Sequence, residues 1–95
     1  MKSGIIMATI LVIDDSKMVR DTMTSALEAI GYNVICAENG KQGESYFNLA
    51  RVDVVVTDID MPIQDGFQTI KNIRNVDKNV CIIGITGQCE PCLSG

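Results

Sequence analysis

Uninterrupted apolar runs alternate along this chain with stretches whose apolar residues recur at three- and four-residue steps. Thr9-Ile10-Leu11-Val12-Ile13 is the first run, and a strand apolar on both faces belongs inside a parallel sheet. Asp14-Asp15-Ser16 breaks it, with Ser16 placed to cap a helix. Val19, Met23, Ala26, Leu27 and Ile30 then form one helical stripe, which Gly31 closes. Tyr32 to Ala37 reads as a second strand ending in the turn Glu38-Asn39-Gly40. From Lys41 to Ala50 a helix is expected with only Phe47 and Ala50 on its apolar side, and Gly43 costs it about 1 kcal/mol relative to Ala. Asp53 to Thr57 is a third apolar strand and stops at Asp58. A loop carrying Asp60, Met61-Pro62 and Asp65-Gly66 leads into a third helix with Phe67, Ile70 and Ile73 inward. Val80 to Ile85 is a fourth buried strand, ending at Thr86-Gly87.

Strict alternation of strand and helix predicts an α/β fold: a doubly wound parallel sheet with helices on both faces and right-handed crossovers. Ligands in such sheets bind outside the carboxyl ends of the strands. Strands one, three and four end there in Asp14-Asp15, Asp58 and Thr86, whereas the second ends in Ala37-Glu38 and looks uninvolved.

Composition narrows the chemistry. Ninety-five residues, 46% hydrophobic and 21% charged, are room for one globular domain. A net charge of −4 leaves no basic excess to displace counterions from nucleic acid or an anionic membrane. With no His in the chain, Ser-His-Asp and Cys-His catalysis and His-ligated zinc are excluded. The longest apolar stretch, Ile5 to Ile13, falls far short of the roughly 20 residues that span a bilayer, so a cytoplasmic protein is expected. Cys36 and Cys81 sit in apolar runs and read as small buried hydrophobes; Cys89-Glu90-Pro91-Cys92 reads as part of a tail.

Three carboxylates at one sheet edge repel each other unless a cation sits among them, and an all-oxygen site suits Mg2+. An aspartate beside such an ion serves as a nucleophile toward phosphorus, because charge developing on the transferring group is neutralised. Thr86 would then offer a hydroxyl to the phosphoryl product.

These residues resemble the receiver domain of two-component response regulators. The likeness is carried by Val12-Ile13-Asp14-Asp15-Ser16, Asn39-Gly40, Val56-Thr57-Asp58-Ile59-Asp60-Met61-Pro62, Asp65-Gly66 and Ile85-Thr86-Gly87, and it runs from about Ala8 to Gln88. The resemblance implies a flavodoxin-like fold with strand order 2-1-3-4. It also implies that Asp58 is phosphorylated by a partner histidine kinase or phosphotransfer protein. Asp14, Asp15 and Asp58, with the backbone carbonyl of Asp60, would hold Mg2+. Thr86 would be the switch hydroxyl, Met61, Pro62, Asp65 and Gly66 would shape the loop, and Asp60 and Gln88 would tune dephosphorylation.

A complete receiver continues past its fourth strand through a helix, a fifth strand that ends in a Lys, and a last helix. The chain is therefore expected to be a receiver lacking that portion: an extension at residues 1–7, the domain at 8–88, a tail at 89–95 and an impaired output. Its fourth strand becomes an apolar, uncharged edge, for which self-association is expected. No turnover enzyme is expected. The Asp58-Ile59-Asp60 run is also similar to the motif of haloacid-dehalogenase-type phosphatases, and a receiver-like module that dimerises without taking phosphate is a further reading.

Overall fold

Thr9–Ile13 forms the strand β1 in the computed structural model, which describes residues 8–59 and 66–85. The elements that follow are α1 (Lys17–Ala29), β2 (Asn33–Ala37), α2 (Gly40–Leu49), β3 (Val54–Asp58), α3 (Gly66–Val76) and β4 (Cys81–Ile85). The four strands make one parallel sheet, as their apolar runs predict, in the order β2-β1-β3-β4 that the resemblance implies.

Alternation along the central strand divides the interior in two. Leu11 and Ile13 face Val55, Phe47 of α2 and Ile73 of α3. Ile10 and Val12 face Val56 and the half-buried Met23 and Leu27 of α1. Thus α2 and α3 cover one face and α1 covers the other, where it packs on β2 and β1.

Local chemistry sets the helix ends. The Ser16 hydroxyl accepts from the Val19 N–H at 3.3 Å and starts α1. At its far end Gly31 takes φ +105, and the Gly31 and Tyr32 N–H groups bond to the Glu28 and Leu27 carbonyls. A left-handed residue there favours glycine. Asn39 is more than a turn residue: its Oδ1 accepts from the Gln42 N–H at 2.8 Å, while Gln42 Oε1 accepts from the Glu38 N–H at 2.8 Å. This reciprocal cap starts α2 one residue earlier than its apolar pattern suggests.

Several inward assignments are corrected. Ile30 lies beyond the last turn of α1 and is 72% exposed, and Ala26 also faces out. Ala50 is exposed where α2 ends. On α3 the buried positions are Gly66, Thr69 and Ile73, with Ile70 half-buried, while Phe67 is 68% exposed. One residue along a helix turns about 100°, so a face centred on 66, 69, 70 and 73 points Phe67 away. β4 is not a buried strand either: Cys81 is exposed and Ile83 is 47% exposed, because β4 is a sheet edge among the described residues. No helix among the described residues is long and apolar enough to cross a membrane.

Candidate functional site

The parallel register brings the ends of β1 and β3 side by side. Ile13 pairs with Thr57, so the next residue on each strand, Asp14 and Asp58, emerges at the same edge. One carboxylate oxygen each from Asp14, Asp15 and Asp58 lies within 4.8 Å of the others. Asp14 and Asp58 are buried, at 4% and 8% exposure, and Asp15 is exposed. Two buried groups and one exposed group thus make an acidic cup among the described residues.

The loop holding Asp14 is pinned from several sides. Its N–H donates to the Ala37 carbonyl at 3.0 Å, which continues the sheet one bond past β1. Its Oδ1 accepts from the Ser16 N–H at 2.9 Å. Its carbonyl accepts from Nη1 of Arg20 at 2.8 Å. On the β3 side, Ile59 N–H donates to the Ile85 carbonyl at 2.8 Å, and Gly66 N–H donates to the Ile59 carbonyl at 2.9 Å. Gly66 is there for space: a Cβ would overlap the carbonyl oxygen of Asp58 and the Cα of Ile59.

Burial pushes the Asp14 carboxyl above its ordinary value, and the charges of Asp58 and Asp15 push the same way; the Ser16 N–H and Arg20 oppose them. A carboxyl raised in the folded state favours folding only while it is protonated. That stabilisation is present below the ordinary aspartate value near 3.9 and is lost as pH rises through the raised one. Asp14→Asn keeps an oxygen for Ser16 and removes the buried charge. In metal-free solution at neutral pH it is expected to raise the melting temperature, with the gain vanishing in acid. Calorimetry in chelator checks this, and a variant that melts at or below the parent at neutral pH contradicts it.

The donor set fits Mg2+. Mg2+ binds oxygen at about 2.1 Å and keeps several of its waters, so carboxylates spread over 4.8 Å can hold it partly through retained water. All three donors are hard oxygens, and their mutual repulsion is what a divalent cation relieves.

The structure thus brings Asp14, Asp15 and Asp58 together and sets Gly66 beneath them. Asp60, Met61, Pro62, Asp65, Thr86, Gln88, Cys89 and Cys92 lie outside the described residues, as do residues 1–7. Arg20 is the residue that the sequence reading passed over. Its signal was present: four residues past the cap Ser16, it stands one turn above the loop that Ser16 closes.

Comparison with known proteins bears on this geometry. The response regulator receiver domain family matches residues 10–92. The CAI-1 autoinducer sensor kinase/phosphatase CqsS of Vibrio cholerae is 36% identical over 85 residues, which is 86% of this chain and 12% of that protein. The chain thus spans about an eighth of that relative, and 9% of the Autoinducer 1 sensor kinase/phosphatase LuxN. Among solved structures, the chemotaxis protein CheY4 of Vibrio cholerae superposes with a TM-score of 0.85 at 32% identity, covering 90% of this chain and 73% of that one. The response regulator TrrA of Thermotoga maritima, in complex with Mg(2+)-BeF, gives a TM-score of 0.81 at 35% identity over 84% of this chain and 70% of that one. Another neighbour is the complex of TrrA with the histidine kinase ThkA, with a TM-score of 0.82 at 32% identity over 93% of this chain and 76% of the matched one. A parallel sheet in the order 2-1-3-4 with three carboxylates at its carboxyl edge, matched over most of its length by one family, places this chain among the response regulator receiver domains.

Proposed function

We propose that the chain is the phosphoacceptor of a two-component phosphorelay, and that Asp58 takes the phosphoryl group from a phosphohistidine on a histidine kinase or phosphotransfer protein. The observation that carries this is the meeting of the Asp14, Asp15 and Asp58 carboxylates within 4.8 Å at one sheet edge. An Asp58 carboxylate oxygen attacks phosphorus, the phosphorus–nitrogen bond breaks, and the electron pair leaves with the donor imidazole. Asp14, Asp15 and Asp58, with the Asp60 carbonyl, would hold Mg2+, which supplies neutralisation of the charge on the transferring group.

Support for the partner comes from TrrA, seen with ThkA, and support for the cation from TrrA, seen with Mg(2+)-BeF. In the same reading Thr86 moves toward the phosphoryl group, Met61, Pro62, Asp65 and Gly66 shape the loop, and Asp60 and Gln88 set the lifetime of the acyl phosphate. The chain is a signalling domain of the cytoplasm and not a turnover enzyme, and its charge of −4 speaks against direct contact with nucleic acid. Incubation with a small-molecule phosphoryl donor, with and without Mg2+, tests the proposal. Incorporation that needs Mg2+ supports it, and a chain that takes no label sinks it.

β4, an edge strand among the described residues, favours a second property. Cys81-Ile82-Ile83-Gly84-Ile85 carries no charge, and Ile83 is half-exposed on it. Bare apolar edges invite pairing. We propose that the 95-residue chain self-associates through β4. Sedimentation at several concentrations is expected to show a dimer; a monomer up to high micromolar overturns this.

A further inference from the structure

Arg20 turns its guanidinium back along α1, and the carbonyl it meets at 2.8 Å belongs to the peptide that joins Asp14 to Asp15. A fixed positive charge therefore rests on the segment that carries two of the three clustered carboxylates. The bond is partly buried, so salt screens it less than a surface pair. Lys17 is nearer in sequence and behaves differently: its ammonium is exposed and pairs with Asp21 at 2.7 Å.

We propose that Arg20 is a built-in counter-charge of the acidic cup, which holds the loop after β1 in its ligating shape and competes electrostatically with the divalent cation. This rests on the reading of the cup as a Mg2+ site. The reasoning is one of sign. A single positive charge beside three carboxylates offsets part of their repulsion while no metal is bound. A divalent ion entering the same field is opposed by that charge. Arg20 is thus a positioning residue that stabilises the metal-free loop and weakens Mg2+ binding. A residue that merely clamped the loop would do the reverse, since its loss would loosen the ligands and weaken binding.

The experiment titrates Mg2+ calorimetrically into the metal-free parent, R20Q, R20K and D58N, with thermal melts of each in chelator. R20Q is expected to bind Mg2+ about three- to tenfold more tightly, as for removal of one charge several ångströms from a divalent ion in a near-aqueous dielectric. It is also expected to melt lower without metal. R20K keeps the charge and is expected to bind as the parent does. Binding by R20Q that equals or falls below the parent overturns the inference while leaving the Mg2+ site in place. A parent that binds no Mg2+, or a D58N variant that binds it like the parent, overturns the site and this inference together. Should R20Q fail to fold, Arg20→Met, which keeps the aliphatic stem, gives the same comparison. A chain that folds with neither substitution makes Arg20 a structural clamp and overturns the counter-charge.

Discussion

Asp58→Asn is expected to reduce phosphoryl incorporation from a small-molecule donor to background, more than about a hundredfold below the parent. An amide has the shape of the carboxylate but not its nucleophilicity, and Asn at a buried strand end needs no repacking. The fold is therefore expected to survive, and loss of one of three clustered carboxylates relieves repulsion in the metal-free chain. The same phosphodonor assay separates chemistry from cation binding. Asp14→Asn leaves the nucleophile in place and removes a ligand, so its residual labelling should demand far more Mg2+. Incorporation by Asp58→Asn at the parent rate would move the acceptor to another residue and leave the three-carboxylate cluster unexplained.

Gly66→Ala is expected to be the most damaging single methyl in the described part of the molecule, costing about 2–4 kcal/mol. The added Cβ meets main-chain atoms: the Asp58 carbonyl oxygen, the Ile59 Cα and, at 3.0 Å, the Asp58 carbonyl carbon. No rotamer change relieves such a contact. The first turn of α3 must lift away from β3, taking with it the bond from the Gly66 N–H to the Ile59 carbonyl. Gly43→Ala is the control. There the methyl meets side-chain atoms of Ile13, Cγ1 at 2.8 Å among them, which yield more readily than main chain, and a helix propensity gain of about 1 kcal/mol offsets part of the cost, so a smaller loss is expected. Thermal melts of the pair check the argument; equal and small losses would contradict it. Because the shift at Gly66 passes directly into Asp58, labelling should fall further than stability alone explains.

Strand positions were the legible part of this fold, since β1 and β3 are continuous apolar runs that only a covered parallel sheet accommodates. Asp14, Asp15 and Asp58 were legible for the same reason: each follows or ends such a run, and parallel register carries those ends to one edge. Helix faces were less so. Phe67 is apolar enough to be assigned inward, but the wall of α3 is set by where Gly66 must touch β3, and Thr69 fills the position that a larger residue seemed to claim. Apolarity ranks what burial would gain; it does not say which way backbone contact rotates a helix. The apolar run of β4 reads as a buried strand for a related cause, since its residues are those of a central strand, while the resemblance marked it as the edge it forms among the described residues. Arg20 acts through a backbone carbonyl six residues back, and its place one turn past the cap Ser16 is the mark the sequence carries of that bond.

The seating of β1 between β2 and β3 also orders events during folding. Ile10 pairs with Val34, 24 residues on, and with Val54, 44 residues on. The shorter closure joins β1, α1 and β2 into a unit that already displays Asp14 and Asp15, while Asp58 arrives only with the longer one. Loop-closure entropy grows with separation, so the nearer pairing is the less costly to make first. A chain that has folded only its first half therefore holds two of the carboxylates and lacks the acceptor. Any ligand that needs all three selects molecules in which the second crossover is already complete.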